Sequence, residues 1–186
     1  MGRFTKAAGD NGTFHKSGRR KMIDYLLGED DILKDSDILI READISDAPD
    51  IAEVERCCFP KPWSLDVIRH DLSENGKARY YVAVDAGHVV GYMSVWALDY
   101  EGFINNIAVI PGYRRRHIAS MLIETMLEAT EAEGIVSHTL EVRKSNKAAR
   151  RLYGNFDFKE TSIRSHYYSD NGEDAIIMWR MGELAE

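Results

Sequence analysis

The chain has 186 residues, 44% of them hydrophobic and 10% aromatic, enough to bury one substantial core and too few to make two. Its formal net charge of -7 excludes general binding to phosphate backbones, which needs a surplus of Lys and Arg, so no direct nucleic-acid contact is expected. No apolar run reaches the roughly 20 residues that span a bilayer. The first residues lack an apolar secretory core, and Lys6 stands where a myristoylation signal wants Ser or Thr. A soluble, cytoplasmic protein without membrane contact is therefore expected. Cys57 and Cys58 are the only cysteines; an adjacent pair can neither frame a fold by disulfides nor fill a four-ligand zinc site, so buried free thiols and no metal are expected.

Residues 1–21 carry six basic side chains against one acidic, and residues 22–37 reverse this with one against six. The opening stretch has no apolar period to offset its ordering entropy, which predicts a flexible charged extension over 1–37 containing at most a short helix over 22–33. A nucleic-acid arm or a transit peptide is the competing reading, weakened by Asp10 and the acidic stretch. From residue 38 the punctuation is regular. Residues 38–41 read as a strand, and 47–57 as a helix with Ile51, Val54 and Cys58 at helical spacing. The Phe59-Pro60-Lys61-Pro62-Trp63 step breaks it, and Ser64 caps a second helix to about residue 72. Two β-rich runs, 80–84 and 89–98, join as a hairpin across Asp85-Ala86-Gly87-His88, and a third strand over 103–109 is closed by Pro111-Gly112. Ile118, Met121, Leu122, Thr125, Met126 and Ala129 then form the apolar stripe of the strongest helix, which Gly134 ends. A strand over 139–143, a short helix over 146–153 and two last strands, 158–164 and 175–181, complete the domain, the last two flanking Asp170-Asn171-Gly172. The order predicts an α/β fold, a central mixed sheet with helices on both faces.

Three constellations carry possible chemistry. Asn106-Ile107-Ala108-Val109 is followed by the basic turn Arg114-Arg115-Arg116-His117 and a helix beginning Ile118-Ala119-Ser120. Free N–H groups and the helix dipole point the same way there, so a diphosphate would fit; a solvated basic turn is the alternative. In Leu140-Glu141-Val142-Arg143, alternation puts Leu140 and Val142 on the core face and Glu141 on the other, as a solvent-facing carboxylate or a base. In the short helix, Asn146 and Tyr153 share one face roughly 10 Å apart along the axis, with Tyr153 alone reading as a core aromatic.

These motifs resemble those of the GNAT acetyltransferases, and within them the RimI branch, over residues 38–181. The matching residues are Asn106-Ile107-Ala108-Val109, Leu140-Glu141-Val142-Arg143 with Ser145-Asn146, Arg151-Leu152-Tyr153, Tyr167-Tyr168 with Glu173-Asp174-Ala175-Ile176-Ile177-Met178, and Pro62-Trp63-Ser64. The resemblance implies a GNAT domain over 38–182 that uses acetyl-coenzyme A and no metal. It implies a cosubstrate held along a splayed strand at Ile107, Ala108 and Val109, its pyrophosphate on the backbone of Arg115, Arg116, His117, Ile118, Ala119 and Ser120, and its pantetheine on Asn146. Glu141 takes the general-base position and Tyr153 the general-acid position, the tyrosine acting either in concert with thiolate departure or with a pKa lowered by the Arg-rich surroundings. The acceptor is expected between the 59–64 loop with Trp63 and the hairpin bearing Tyr167 and Tyr168. His117 departs from the family loop, which has Gly there; a helical φ would tolerate it. The implied partner is a protein N-terminus, that of a small-subunit ribosomal protein, acetylated by a monomer or weak dimer. The competing readings are a GNAT acting on lysine or a small amine, a non-catalytic acyl-coenzyme A binding module, and an RNA or ribosome docking protein working through the basic tail.

Overall fold

The structure, a computed structural model, describes residues 38–182. The expected charged extension over 1–37, with its helix over 22–33, lies outside the described residues. Seven strands form one sheet: β1 (Leu39–Glu42), β2 (Ala78–Asp85), β3 (His88–Leu98), β4 (Glu101–Val109), β5 (Ser137–Arg143), β6 (Lys159–Tyr168) and β7 (Glu173–Met181), in the spatial order β1-β2-β3-β4-β5-β7-β6. All neighbours are antiparallel except β4 and β5. Four helices cover the sheet: α1 (Ala48–Cys58), α2 (Leu65–Ser73), α3 (Ile118–Ala132) and α4 (Lys147–Gly154). The elements expected from residue 38 onward are all present, with ends moved by at most four residues. The largest change is β6, which runs on to include Tyr167 and Tyr168.

Local chemistry sets several boundaries. The Ser64 side chain accepts from Val67 N–H and starts α2, and Asn146 accepts from Ala149 N–H and starts α4. The β2–β3 hairpin turns on two left-handed residues, Ala86 at φ 47° and Gly87 at φ 85°, the conformation a two-residue primed turn requires. Two apolar clusters result, one on each face. Met93, Val95, Ile104, Leu140, Val142 and Met178 pack under α3 on one; Ile51, Val54, Ile68, Tyr80, Val82 and Tyr92 pack with α1 and α2 on the other.

β4 and β5 pair only from Glu101↔Ser137 to Ile104↔Leu140. Beyond that point they share no registered pair, so the sheet is split along residues 105–109 and 141–143. A bulge marks the parting: Val95 faces Ile104 and Ser94 faces Asn106, which leaves Asn105 as the extra residue.

The first half of β5 is buried on both faces, and at its centre lies His138, fully buried. Its Nε2 is 2.8 Å from Thr130 Oγ1, whose own proton goes to Met126 O at 2.8 Å, so His138 donates and carries its proton on Nε2. Nδ1 then has no partner, and protonating it would bury an unpaired charge; burial holds the imidazole pKa down at about 4. Gly102 is the cross-strand partner, and a Cβ there would stand 2.5 Å from the His138 ring. Because the folded pKa lies below the unfolded value of about 6.5, the unfolded chain binds the proton first, and stability present above pH 6.5 is lost as pH falls toward 4. Chemical denaturation at pH 7 and pH 4.5 should show that His138 contributes about 2 to 3 kcal/mol of this loss, so His138→Gln should lose that much less between the two pH values than the parent chain.

Candidate active site

In the split, the two halves of the β4 backbone face different ways. Ile110 N–H bonds to Val90 O at 3.0 Å, and alternation along an antiparallel strand turns the peptide groups of Ala108 toward β3 as well. Those of Ile107 and Val109 therefore face the gap, where β5 offers no pairing. Val109 O is taken by Arg114 Nε at 3.0 Å and by the Cys58 thiol at 3.5 Å; its N–H and both Ile107 groups remain for an extended ligand. The thiols are expected to be buried, but Cys57 is exposed and only Cys58 is partly buried, its pKa raised by burial. The strand thus has the donor and acceptor edge that a pantetheine arm with its two amides needs.

The gap leads to the start of α3. Arg115 at φ 62° and His117 at φ 58° are both left-handed, and His117 is the N-cap residue without a side-chain cap bond. Met121 N–H makes the first backbone bond of the helix, to His117 O, so the N–H groups of Ile118, Ala119 and Ser120 are open to an anion. The expectation of a helical φ at His117 is corrected: the backbone keeps the conformation that glycine favours, and the imidazole is carried on it at a steric cost. Arg114 ties the turn back to β4, and Arg116 stacks over Tyr113 at 5.0 Å. The three arginines are thus not equivalent surface charges.

Glu141 is exposed on the α1–α2 face of β5, as alternation predicts, with Leu140 and Val142 buried on the other. Its carboxylate pairs with Arg164 Nη1 of β6 at 3.0 Å. Tyr153 belongs to the opposite face: it packs in the cluster under α3 and α4 with Leu140, Val142 and Phe158. Burial raises its pKa, and no arginine lowers it, which corrects the expectation of a tyrosine acidified by Arg-rich surroundings. The two candidate proton-transfer groups therefore flank β5 from either side at the split. Asn146 spends its side-chain oxygen on the cap of α4, which leaves its amide NH₂ for a ligand carbonyl.

The two segments expected to hold the acceptor meet: Lys61 Nζ, in the 59–64 loop, bonds to Ser169 Oγ, in the β6–β7 turn, at 3.1 Å. Trp63 is half-buried against the α1–α2 cluster, and Tyr167 stands edge-on to Tyr168 with centroids 5.2 Å apart. The β6–β7 turn is locked to the end of β5 by Arg143. This side chain binds Asp170 at 2.8 Å and Glu173 at 3.2 Å, and lies 3.9 Å over the Tyr168 ring. Hydrogen bonds from Ser145 first, and Arg143 after, hold the Glu173 carboxyl down at about 2. Burial pushes the Tyr168 hydroxyl up to about 12 against the pull of Arg143.

Sequence reasoning missed Glu55, Arg143 and Arg164. Glu55 had a signal, because it falls on the same stripe of α1 as Ile51 and Cys58 and so puts a carboxylate on the buried face. Arg164 had none, since its pairing with Glu141 crosses from β6 over β7 to β5.

A sheet split between two parallel strands, opening onto an anion-ready helix start, defines an α/β acyltransferase architecture. The chain belongs to the acetyltransferase (GNAT) family, whose family model matches residues 48–158. It is 32% identical over 143 residues to a ribosomal protein bS18-alanine N-acetyltransferase of Escherichia coli K12, covering 75% of this chain and 94% of that protein. A protein of Bacillus subtilis provisionally given the same activity is 37% identical over 140 residues, covering 75% and 93%. The crystal structure of the ribosomal-protein-S18-alanine N-acetyltransferase from Escherichia coli superposes with a TM-score of 0.74 at 30% identity, covering 80% of this chain and 96% of that one.

The left-handed turn yields a test of the His117 backbone. His117→Gly relieves about 1 to 2 kcal/mol of strain and adds about 0.5 to 1 kcal/mol of unfolded-state entropy. Chemical denaturation should therefore show a net gain of about 0.5 to 1 kcal/mol, and a loss of about 1 kcal/mol or more for the β-branched His117→Val.

Proposed function

We propose that residues 38–182 form an acetyltransferase domain that moves acetyl from acetyl-coenzyme A to a protein's N-terminal α-amine. The acceptor is the N-terminal alanine of small-subunit ribosomal protein S18, and the reaction takes place in the cytoplasm. The observation that carries the reading is the position of Glu141. It stands at the split, on the face that also bears the joined 59–64 loop and β6–β7 turn. The relatives with this activity match almost their whole length. Among the described residues no helix is long and apolar enough to cross a membrane, and no cluster of side chains could hold a metal ion.

Acetyl-coenzyme A fits the groups present: the open backbone N–H and C=O of Ile107 for the pantetheine, the Val109 N–H for the thioester carbonyl, the amide of Asn146, and the N–H groups of Ile118, Ala119 and Ser120 for the pyrophosphate. When bound it supplies an acetyl carbon activated as a thioester. The chain's own task is to move protons and hold geometry. An α-ammonium with a pKa near 8 costs only about 1.4 kcal/mol to deprotonate at pH 7, whereas a lysine near 10.4 costs about 4.6 kcal/mol. A surface carboxylate suffices for the first, so Glu141 takes the amine proton directly or through one water. The Val109 N–H, aimed into the gap, stabilises the developing oxyanion. Tyr153 approaches from the opposite face and protonates the departing thiolate in concert with departure, since burial makes its free ionisation unfavourable. Base and acid on opposite faces suit a reaction in which the acceptor enters from one side of the split and the thiol leaves on the other.

The deciding assay is thiol release with acetyl-coenzyme A and two peptides. One begins with the free alanine of the S18 N-terminus; the other is blocked there and carries a lysine. Release with the first alone is expected, and release with the lysine peptide would move the acceptor class to side-chain amines. Glu141→Gln should lower kcat/KM for the first peptide by about 100-fold or more. Tyr153→Phe should slow turnover by a similar factor while calorimetry finds acetyl-coenzyme A affinity within about threefold, and unchanged turnover would remove Tyr153 from the mechanism.

A further inference from the structure

Glu55 is fully buried in α1, yet its carboxylate is met by neutral donors from three separate segments. Oε1 accepts from the Tyr92 hydroxyl of β3 and from Asn106 Nδ2 of β4 at 2.9 Å; Oε2 accepts from the backbone N–H of Trp63 at 2.8 Å. Asn106 Nδ2 also reaches Tyr92 Oη at 3.2 Å, which closes a triangle beneath the cosubstrate strand. One turn further along α1, the Cys58 thiol donates to Val109 O, so the same helix is fastened twice to β4. A side chain serving only to fill this space would be apolar, as its neighbours Ile51 and Val54 are. A planar fork with two acceptor ends is what the site uses, one end toward the strand pair and one toward the loop.

The structure assigns Glu55 as a positioning residue that fixes the 59–64 loop against β4 and so sets the distance between the acceptor amine and the thioester. The assignment rests on the reading of that loop as a wall of the acceptor groove. Its role differs from that of a packing residue because the Oε2 bond goes to a loop backbone, not to another core group. Loss of this bond frees Trp63 while the strand that faces the cosubstrate keeps its pairing to β3. Acceptor binding and acetyl-coenzyme A binding should therefore separate. Glutamine can replace the fork if its oxygen stays on the Trp63 N–H and its NH₂ donates to Tyr92 Oη and to the Asn106 oxygen after an amide flip. Aspartate, one methylene shorter, cannot reach both sides.

The test uses the full chain carrying Glu55→Leu, Glu55→Asp or Glu55→Gln, with amide hydrogen exchange at Trp63 and steady-state kinetics on the alanine peptide. In the Leu and Asp variants the Trp63 amide should exchange about 100-fold faster and the peptide KM should rise about 10-fold, with the acetyl-coenzyme A KM changed less than about twofold. Glu55→Gln should lie within about threefold of the parent in every constant. Trp63 protection retained in both Leu and Asp variants would overturn the assignment, as would an equal rise in both KM values. Should Glu55→Leu fail to fold, the Asp and Gln pair carries the comparison. Failure of the parent chain to acetylate either peptide would instead sink the functional reading, while the exchange at Trp63 still decides whether Glu55 holds the loop.

Discussion

The parting of β4 from β5 is the constraint on which the rest depends. Backbone N–H and C=O groups in a buried strand need partners, and a sheet normally supplies them on both sides. Past Ile104 and Leu140 this sheet does not. The bulge at Asn105 lets β4 turn from its parallel neighbour while it stays paired with β3 on either side of the bulge. The cost appears at the parting itself: Asn105 Nδ2 is enclosed there without a hydrogen-bond partner. A ligand that runs along β4 as an extra strand would satisfy the edge, so the geometry that leaves this edge without a strand partner suits an extended amide-bearing molecule.

The two faces of the sheet solve different problems. Under α3 the core is almost wholly apolar, with Leu122, Ile123 and Met126 fully buried on Leu140 and Met178, which seats the helix on the sheet. Under α1 and α2 two buried carboxylates replace part of that packing. Asp71 accepts from the Tyr80 hydroxyl at 2.9 Å and from Trp96 Nε1 at 3.3 Å, and Glu55 accepts from Tyr92, whose ring stacks on Tyr80 with centroids 6.1 Å apart. Both tyrosine hydroxyls are pushed far up by burial, so they stay protonated as donors. Apolar packing is tolerant of sliding, whereas a satisfied buried polar network fixes a single register. The network lies on the side where two loops must meet.

How much of this was readable from the sequence follows from the range of the interactions involved. Helix and strand periods, the Ser64 cap and the Asp85-Ala86-Gly87-His88 hairpin are local, and they were legible. So was the direction of Glu141, which needs only alternation along one strand. The backbone sign at His117 was not, because a left-handed φ in a non-glycine residue is imposed by the turn around it and leaves no mark in composition. The surroundings of Tyr153 were misread for a similar reason. Arg151 stands two residues before it on the helix and so does not share its face, and Arg150, three residues before it, turns instead to Glu160 at 2.7 Å.

The charges around the split are arranged by pairing more than by number. Exposed ion pairs contribute little to stability, typically under about 1 kcal/mol, so Arg164 on Glu141 and Arg143 on Asp170 and Glu173 are poorly explained as structural cement. Their geometry has a better account. Arg143 holds the β6–β7 turn to the strand that bears Glu141, and Lys61 joins the same turn to the loop that Glu55 anchors. Glu141 thus sits inside a ring of segments fixed to one another by short polar contacts, and Arg164 pairs with its carboxylate. On the proposed function, an incoming ammonium brings to Glu141 the same charge that Arg164 supplies, and the Arg164 guanidinium keeps a contact of its own, 5.6 Å over the Tyr167 ring. On that same function, exchange of one cation for another at constant local charge lets a charged acceptor reach Glu141 without leaving its carboxylate uncompensated.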